Sequence, residues 1–255
     1  MHRPGVGEPL VFLHGFGSTK EDYADAALHP LLADYRILAL DAPGFGGSTC
    51  SNPAVLSMDY LVAVIETVCE HYETGPFHLC GHSMGGLVAV LLAHKEPVRV
   101  LSLVNIEGNL VSQDCFLSRR ILAHGKRGPA FFLERLREYC WHVPQAGFPL
   151  YAAGLFSKTA SEAVQPILQS MVHHSDHSSL VEKFLAFPSP KMFMHGDQNR
   201  DLPYLGRLRD GAVVVAEISR SGHFPMYSNP QETWSRIAAF LDQGSRLADS
   251  GSGDL

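Results

Sequence analysis

The segment Cys80-Gly81-His82-Ser83-Met84-Gly85-Gly86 constrains this chain more than any other stretch. An apolar, strand-like run from Pro76 leads into it. A run of small apolar residues, Met84 to His94, leads out of it as a buried helix. A chain that passes from strand to helix at one residue must turn sharply, and the residue at the tip is forced into strained backbone. Glycines two before and two after Ser83 leave room for that turn. The serine oxygen then stands clear of a sheet at a helix N-terminus, a placement suited to a nucleophile. A Gly-rich turn with a capping serine has the same local sequence, so the rest of the chain has to decide.

Short apolar runs recur, each followed by a turn: Pro9 to Gly15, Tyr35 to Gly44, Pro76 to Ser83, Val98 to Gly108, Pro190 to Asp197 and Ala212 to Ile218. Several are apolar on consecutive residues, as in strands covered on both faces. Helical spacing appears at Asp59 to Tyr72, Met84 to His94 and Pro230 to Asp242. The last of these puts Trp234, Ile237, Ala238 and Leu241 on one face behind an Asn229 N-cap. Alternating strands and helices predict a mostly parallel, doubly wound α/β sheet. Residues 109–185 break the alternation with helical periodicity alone. They read as a mobile helical lid, interrupted at Gly125, Gly128, Gly147 and Gly154, inserted into a core made of residues 1–108 and 186–243. Residues 244–255 are small and polar and read as a disordered tail.

Two further segments carry chemistry. Phe12 to Gly17, "FLHGFG", follows the first of these strands; its turn and the helix after Ser83 offer the Phe16 and Met84 backbone N–H groups as an oxyanion hole. Ser221 to Pro230, "SGHFPMYSNP", follows the last strand. Of 14 histidines, His223 is singled out by position: a loop there can bring it beside Ser83 as general base. The formal net charge of −6 and the absence of a long Lys/Arg run predict small neutral or apolar partners rather than nucleic acid. Five cysteines without metal-ligand spacing predict reduced thiols in a cytoplasmic protein. No apolar run suits a secretory signal or a bilayer span. His173 to His177, "HHSDH", reads as a polar helix junction rather than a metal site, Cys80 as a buried filler. Phe131, Phe132, Trp141, Phe148, Tyr151 and Phe156 either line an apolar pocket or pack the insertion itself.

The segments "VFLHGFGS", "LDAPGFGGS", "LCGHSMGGLVA" and "SGHFPMYSNP", in this order, resemble the α/β-hydrolase superfamily, near its haloperoxidase/esterase/epoxide-hydrolase-like branch. The resemblance runs from about Pro9 to Leu241 and is weak across the insertion. It implies that Asp41 is structural, and that the leading hairpin of the fold is short or missing here, since only nine residues precede Leu10. It also implies a relay acid after the strand that follows the lid, where this chain carries Asn199. A minority of the superfamily places the acid one strand earlier, which here is Glu107, at the end of "VLSLVNIEG". The order Ser83, Glu107, His223 is then acceptable; Asp197 and Asp201 are the alternatives.

The function expected is hydrolysis of a carboxylic ester, thioester or lactone through an acyl-enzyme, with no metal or organic cofactor. The same residues could cleave a carbon–carbon bond, and a non-catalytic binding protein can be built on this fold. Product analysis on a diketone separates the first pair, and labelling by a fluorophosphonate separates enzyme from binder.

Overall fold

The computed structural model describes residues 1–123 and 127–251. Its strands are β1 (His2–Arg3), β2 (Pro9–Leu13), β3 (Arg36–Leu40), β4 (Phe77–His82), β5 (Val100–Ile106), β6 (Lys191–Gly196) and β7 (Val214–Ile218). They form one sheet in the order β1-β3-β2-β4-β5-β6-β7. β1 pairs antiparallel with β3, and every other pairing is parallel. Every residue of β2 and β4 is buried, which accounts for the unbroken apolar run of β2; in β4 the buried residues include His78 and His82. β1 contributes two residues at the edge of the sheet.

The helices are α1 (Ala24–Leu28), α2 (Met58–His71), α3 (Met84–Lys95), α4 (Phe116–Leu122), α5 (Pro129–His142), α6 (Phe148–Lys158), α7 (Ser161–His177), α8 (Leu180–Ala186), α9 (Leu205–Asp210), α10 (Pro225–Ser228) and α11 (Pro230–Gly251). α3 is buried from Met84 through Ala93, as a helix apolar on all sides must be. α11 starts where expected: the Asn229 Oδ1 accepts the Glu232 N–H at 3.4 Å, and Trp234 and Ile237 are buried in the core. It continues to Gly251, through most of the segment expected to be disordered; 252–255 lie outside the described residues. No helix among the described residues is long and apolar enough to cross a membrane.

α4 to α8 stand between β5 and β6, where the sequence shows helical periodicity alone. Gly128 and Gly147, with φ of +81° and +94°, precede α5 and α6 and separate the helices. Gly154 lies inside α6, and Gly125 lies outside the described residues. The "HHSDH" segment ends α7 and is a polar junction. His174 bonds Ser178 and Asp59, Ser175 accepts from the Cys115 thiol, and Asp176 pairs with Arg119.

The strand register delivers the site. Leu13 lies opposite Gly81, so the turns after β2 and β4 emerge side by side. His82 lies opposite Ile106, and Ile106 opposite Met194, so Ser83, Glu107 and the loop after β6 follow in one row. β2 is also where the connections diverge to opposite sides, the position at which open α/β sheets form a crevice. The elbow closes tightly: a Cβ on Gly85 would stand 2.1 Å from the Leu13 carbonyl oxygen. Backbone meets backbone there, so Gly85→Ala is expected to cost about 3 kcal/mol or more. Gly206→Ala, with nothing within 4 Å of the new methyl, should be neutral or stabilising. Urea unfolding of the pair checks this, and equal midpoints would contradict it.

Candidate active site

Ser83 has φ +51° and ψ −116°. A non-glycine residue there carries roughly 1–3 kcal/mol of strain. The geometry is held by the Ser83 N–H donating to the Ile106 carbonyl at 3.0 Å and by the Leu87 N–H donating to the Ser83 carbonyl at 3.1 Å. Ser83 is partly exposed, at the wall of a cavity of about 1250 Å³.

Glu107, also at positive φ (+46°), leaves β5 with its carboxylate buried. Three groups converge on it. The His223 Nδ1–H donates to Oε2 at 3.0 Å, the Gly196 N–H donates to Oε1 at 2.9 Å, and the Asn199 amide donates to both oxygens at 2.9 and 2.7 Å. The amide at the usual acid position therefore faces the carboxylate and holds it. Asn199 in turn accepts from Gln145 of the insertion at 2.9 Å. Of the alternative acids, Asp197 accepts from the Arg220 and Ser221 N–H groups and caps that turn, and Asp201 is exposed.

His223 sits on the loop between β7 and α10. The buried His82 donates from Nε2 to the His223 carbonyl at 2.8 Å, and the two rings lie 4.9 Å apart. Phe148 and Phe224 pack around His223 at 6.2 and 5.0 Å. The turn after β2 carries Phe16, which lines the same cavity. Met84 is buried in the first turn of α3. Asp41 does not reach the site. It accepts from the Lys20 N–H, the Lys20 ammonium and the Gly47 N–H, tying together the loops after β2 and β3. Burial alone would raise its carboxyl, but these donors hold it below the ordinary value. Cys80 is wholly buried beneath the elbow, where burial pushes its thiol far up.

The insertion supplies the cavity's far walls. Phe131, Leu136, Phe148, Tyr151, Leu168 and Met171 face it, whereas Trp141 and Phe156 are exposed. The side chain of Phe132 lies outside the described residues. Sequence alone placed Tyr151 among the pocket or packing aromatics but missed its bond to Phe16, the role of His82 and the holding role of Asn199. Each acts through a contact spanning about 90 to 140 residues, and no local pattern signals it.

Two buried histidines make the site region acid-sensitive. Burial lowers His14 below 6.5; its Nε2 accepts the Ala42 N–H at 2.9 Å and its Nδ1 donates to the Gly15 carbonyl at 2.7 Å, so a second proton would orphan Ala42. Burial, then repulsion from His223, lowers His82 well below 6.5. The unfolded chain takes up these protons first. Stability is thus full above about pH 6.5 and is lost as pH falls toward the depressed folded values, at up to about 1.4 kcal/mol per pH unit for each group. Urea midpoints at about pH 7.5, 6 and 5 measure this; a flat profile would contradict it.

A mostly parallel sheet with a strained serine elbow on its carboxyl edge, and a carboxylate–histidine pair beside it, defines an α/β fold of hydrolase type. A family profile described as "Alpha/beta hydrolase family" matches residues 10–236, and the chain belongs to that family. It is 36% identical over 95% of its length to a pimeloyl-[acyl-carrier protein] methyl ester esterase of Aeromonas salmonicida, covering 80% of that protein. The corresponding esterase of Aeromonas hydrophila is 28% identical over the same shares. Among solved structures, a thermophilic esterase from Thermogutta terrifontis superposes with a TM-score of 0.75 at 22% identity, over 94% of this chain and 91% of that one. The protein is accordingly an enzyme, a hydrolase of the esterase type.

Proposed function

We propose that this protein is a serine hydrolase that cleaves a carboxylic ester, thioester or lactone of a small, partly apolar substrate through an acyl-enzyme. The observation that carries the reading is the 3.0 Å bond between His223 Nδ1 and Glu107, made on the same cavity wall as the strained Ser83. With Nδ1 donating to the carboxylate, Nε2 keeps a lone pair and is the face left for a serine proton. Ser83 Oγ attacks the carbonyl carbon as His223 takes its proton. The Phe16 and Met84 N–H groups stabilise the oxyanion. Collapse expels the alcohol, thiol or ring oxygen, protonated by His223, and water then releases the acyl group by the reverse proton path. Glu107 orients and stabilises the imidazolium throughout. Asn199 supports this reading, because as a donor it fixes the carboxylate where a second acid would repel it.

The chemistry needs no cofactor, and the mainly apolar cavity suits an acyl chain. A methyl ester of a carboxylic acid is the first probe, by analogy with the printed activity of the Aeromonas relatives. Substrate choice falls to the insertion, which walls the cavity, and the setting we propose is cytoplasmic. The test is fluorophosphonate labelling mapped by mass spectrometry, alongside turnover of an ester, thioester and lactone panel. Labelling at Ser83 with hydrolysis of at least one class is expected. An unlabelled Ser83 with no turnover would instead indicate a binding protein, and carbon–carbon cleavage of a diketone without ester turnover would move the reaction to the other class.

A further inference from the structure

One helix of the insertion touches both loops of the site. At its start, a Cβ on Gly147 would stand 2.7 Å from the Phe224 Cβ, and Phe148 packs edge-on against the Phe224 ring at 5.1 Å, so α6 backs the histidine loop. One turn later Tyr151 stacks on Phe224 at 4.8 Å and donates its hydroxyl to the Phe16 carbonyl at 3.0 Å. At its end, the Lys158 carbonyl accepts the Gly46 N–H at 2.9 Å and the Lys158 ammonium lies 3.5 Å from Asp22. α6 is therefore fastened to the core at both ends.

The bond to Phe16 falls at a sensitive place. Gly15 to Ser18 form a turn closed by the Ser18 N–H donating to the Gly15 carbonyl at 3.1 Å, with Gly17 at φ +70°. A positive φ at the third position marks a type II turn, which exchanges with type I by rotation of its central peptide. That peptide is Phe16–Gly17, and its oxygen is the one Tyr151 holds; the Phe16 N–H belongs to the preceding peptide, which shares the Phe16 α-carbon with this one. We propose that Tyr151 is a positioning residue whose hydroxyl locks the oxyanion turn in one orientation, so that the insertion sets the rate of chemistry as well as the choice of substrate. The inference rests on the proposed roles of Ser83 and the Phe16 N–H. Preorganised donors stabilise an oxyanion because they need no reorganisation during the reaction; a Phe16 backbone released on its carbonyl side can tilt about its α-carbon, and its N–H then gives that up. Burial holds the Tyr151 hydroxyl well above its ordinary pKa of 10, so it remains a donor throughout the working range.

Tyr151→Phe keeps the ring on Phe224 and removes only the donor. The expected result is a kcat about tenfold lower, less than the roughly 10²- to 10³-fold that loss of a whole oxyanion donor costs, with KM within about twofold. Affinity for a trifluoromethyl ketone analogue, which forms an oxyanion-bearing adduct on the nucleophile, should fall by the same factor. Affinity for the isosteric methyl ketone, which stays trigonal, should not. The ratio of wild-type to variant kcat should be constant from about pH 6 to 9. Leu155→Val is the packing control: Leu155 sits where a Cβ on Gly17 would meet it at 2.4 Å, and trimming it loosens that contact without touching the hydroxyl. It should lower stability and leave the ketone ratio unchanged. The inference is overturned if Tyr151→Phe stays within twofold in kcat, if only KM moves, if both ketones weaken equally, or if Leu155→Val reproduces the effect. Ser83→Ala, run in parallel, separates this from failure of the underlying reading: an active Ser83→Ala protein removes the serine mechanism itself, whereas an inactive one beside an unimpaired Tyr151→Phe removes only the role of Tyr151.

Discussion

Ser83→Ala is expected to lower ester turnover by about 10⁴- to 10⁶-fold, the range seen when a serine nucleophile is removed from enzymes of this mechanism. The change deletes one oxygen at a partly exposed tip and leaves the elbow's glycines and backbone bonds in place. Thermal midpoint and circular dichroism should therefore stay close to wild type. KM, or the affinity for an unreactive analogue, should change little, because the cavity walls are untouched. What remains is the rate supported by binding and the oxyanion donors alone. Retention of more than about a hundredth of wild-type turnover would be too much for those terms and would remove Ser83 from the mechanism.

Glu107→Gln should cost up to about 10⁴-fold in kcat, the effect of neutralising a triad acid elsewhere. The substitution preserves shape but removes the charge that stabilises the imidazolium. It also creates a conflict, because the Glu107 carboxylate accepts from His223, Gly196 and Asn199 together. An amide has one oxygen and one NH₂ group to place among three donors, so at least one of them loses its partner. Asp197→Asn and Asp201→Asn are the matched comparisons. Asp197 caps the turn before His223, so its loss should lower stability and reduce turnover only a few-fold; Asp201 should be silent. A collapse in either variant, with Glu107→Gln within a few-fold of wild type, would transfer the relay role.

Much of the fold could be read in advance because its signals are local. Consecutive apolar residues in β2, an apolar helix at α3, and glycines flanking Ser83 each follow from what a covered strand or a tight turn demands within ten residues. The last strand and the last helical signal also placed His223, since it follows the one and precedes the other. The sequence misled at the C-terminus, where small polar residues continue α11 to Gly251. Helix is propagated there from an already formed, packed segment, and propagation is far easier than nucleation.

The sequence by itself thus determined the order of strands and helices, the elbow, and the short set of carboxylates that could face His223. Tertiary structure decided among those carboxylates. Glu107 lies 116 residues from His223, and the two meet because parallel pairing sets Ile106 beside both His82 and Met194. The same register turns Asn199 from a missing acid into a donor, and the docking of α6 places Tyr151 on the turn after β2. Register and helix docking are settled by the summed burial of surfaces far apart in the chain, which no window of neighbouring residues contains.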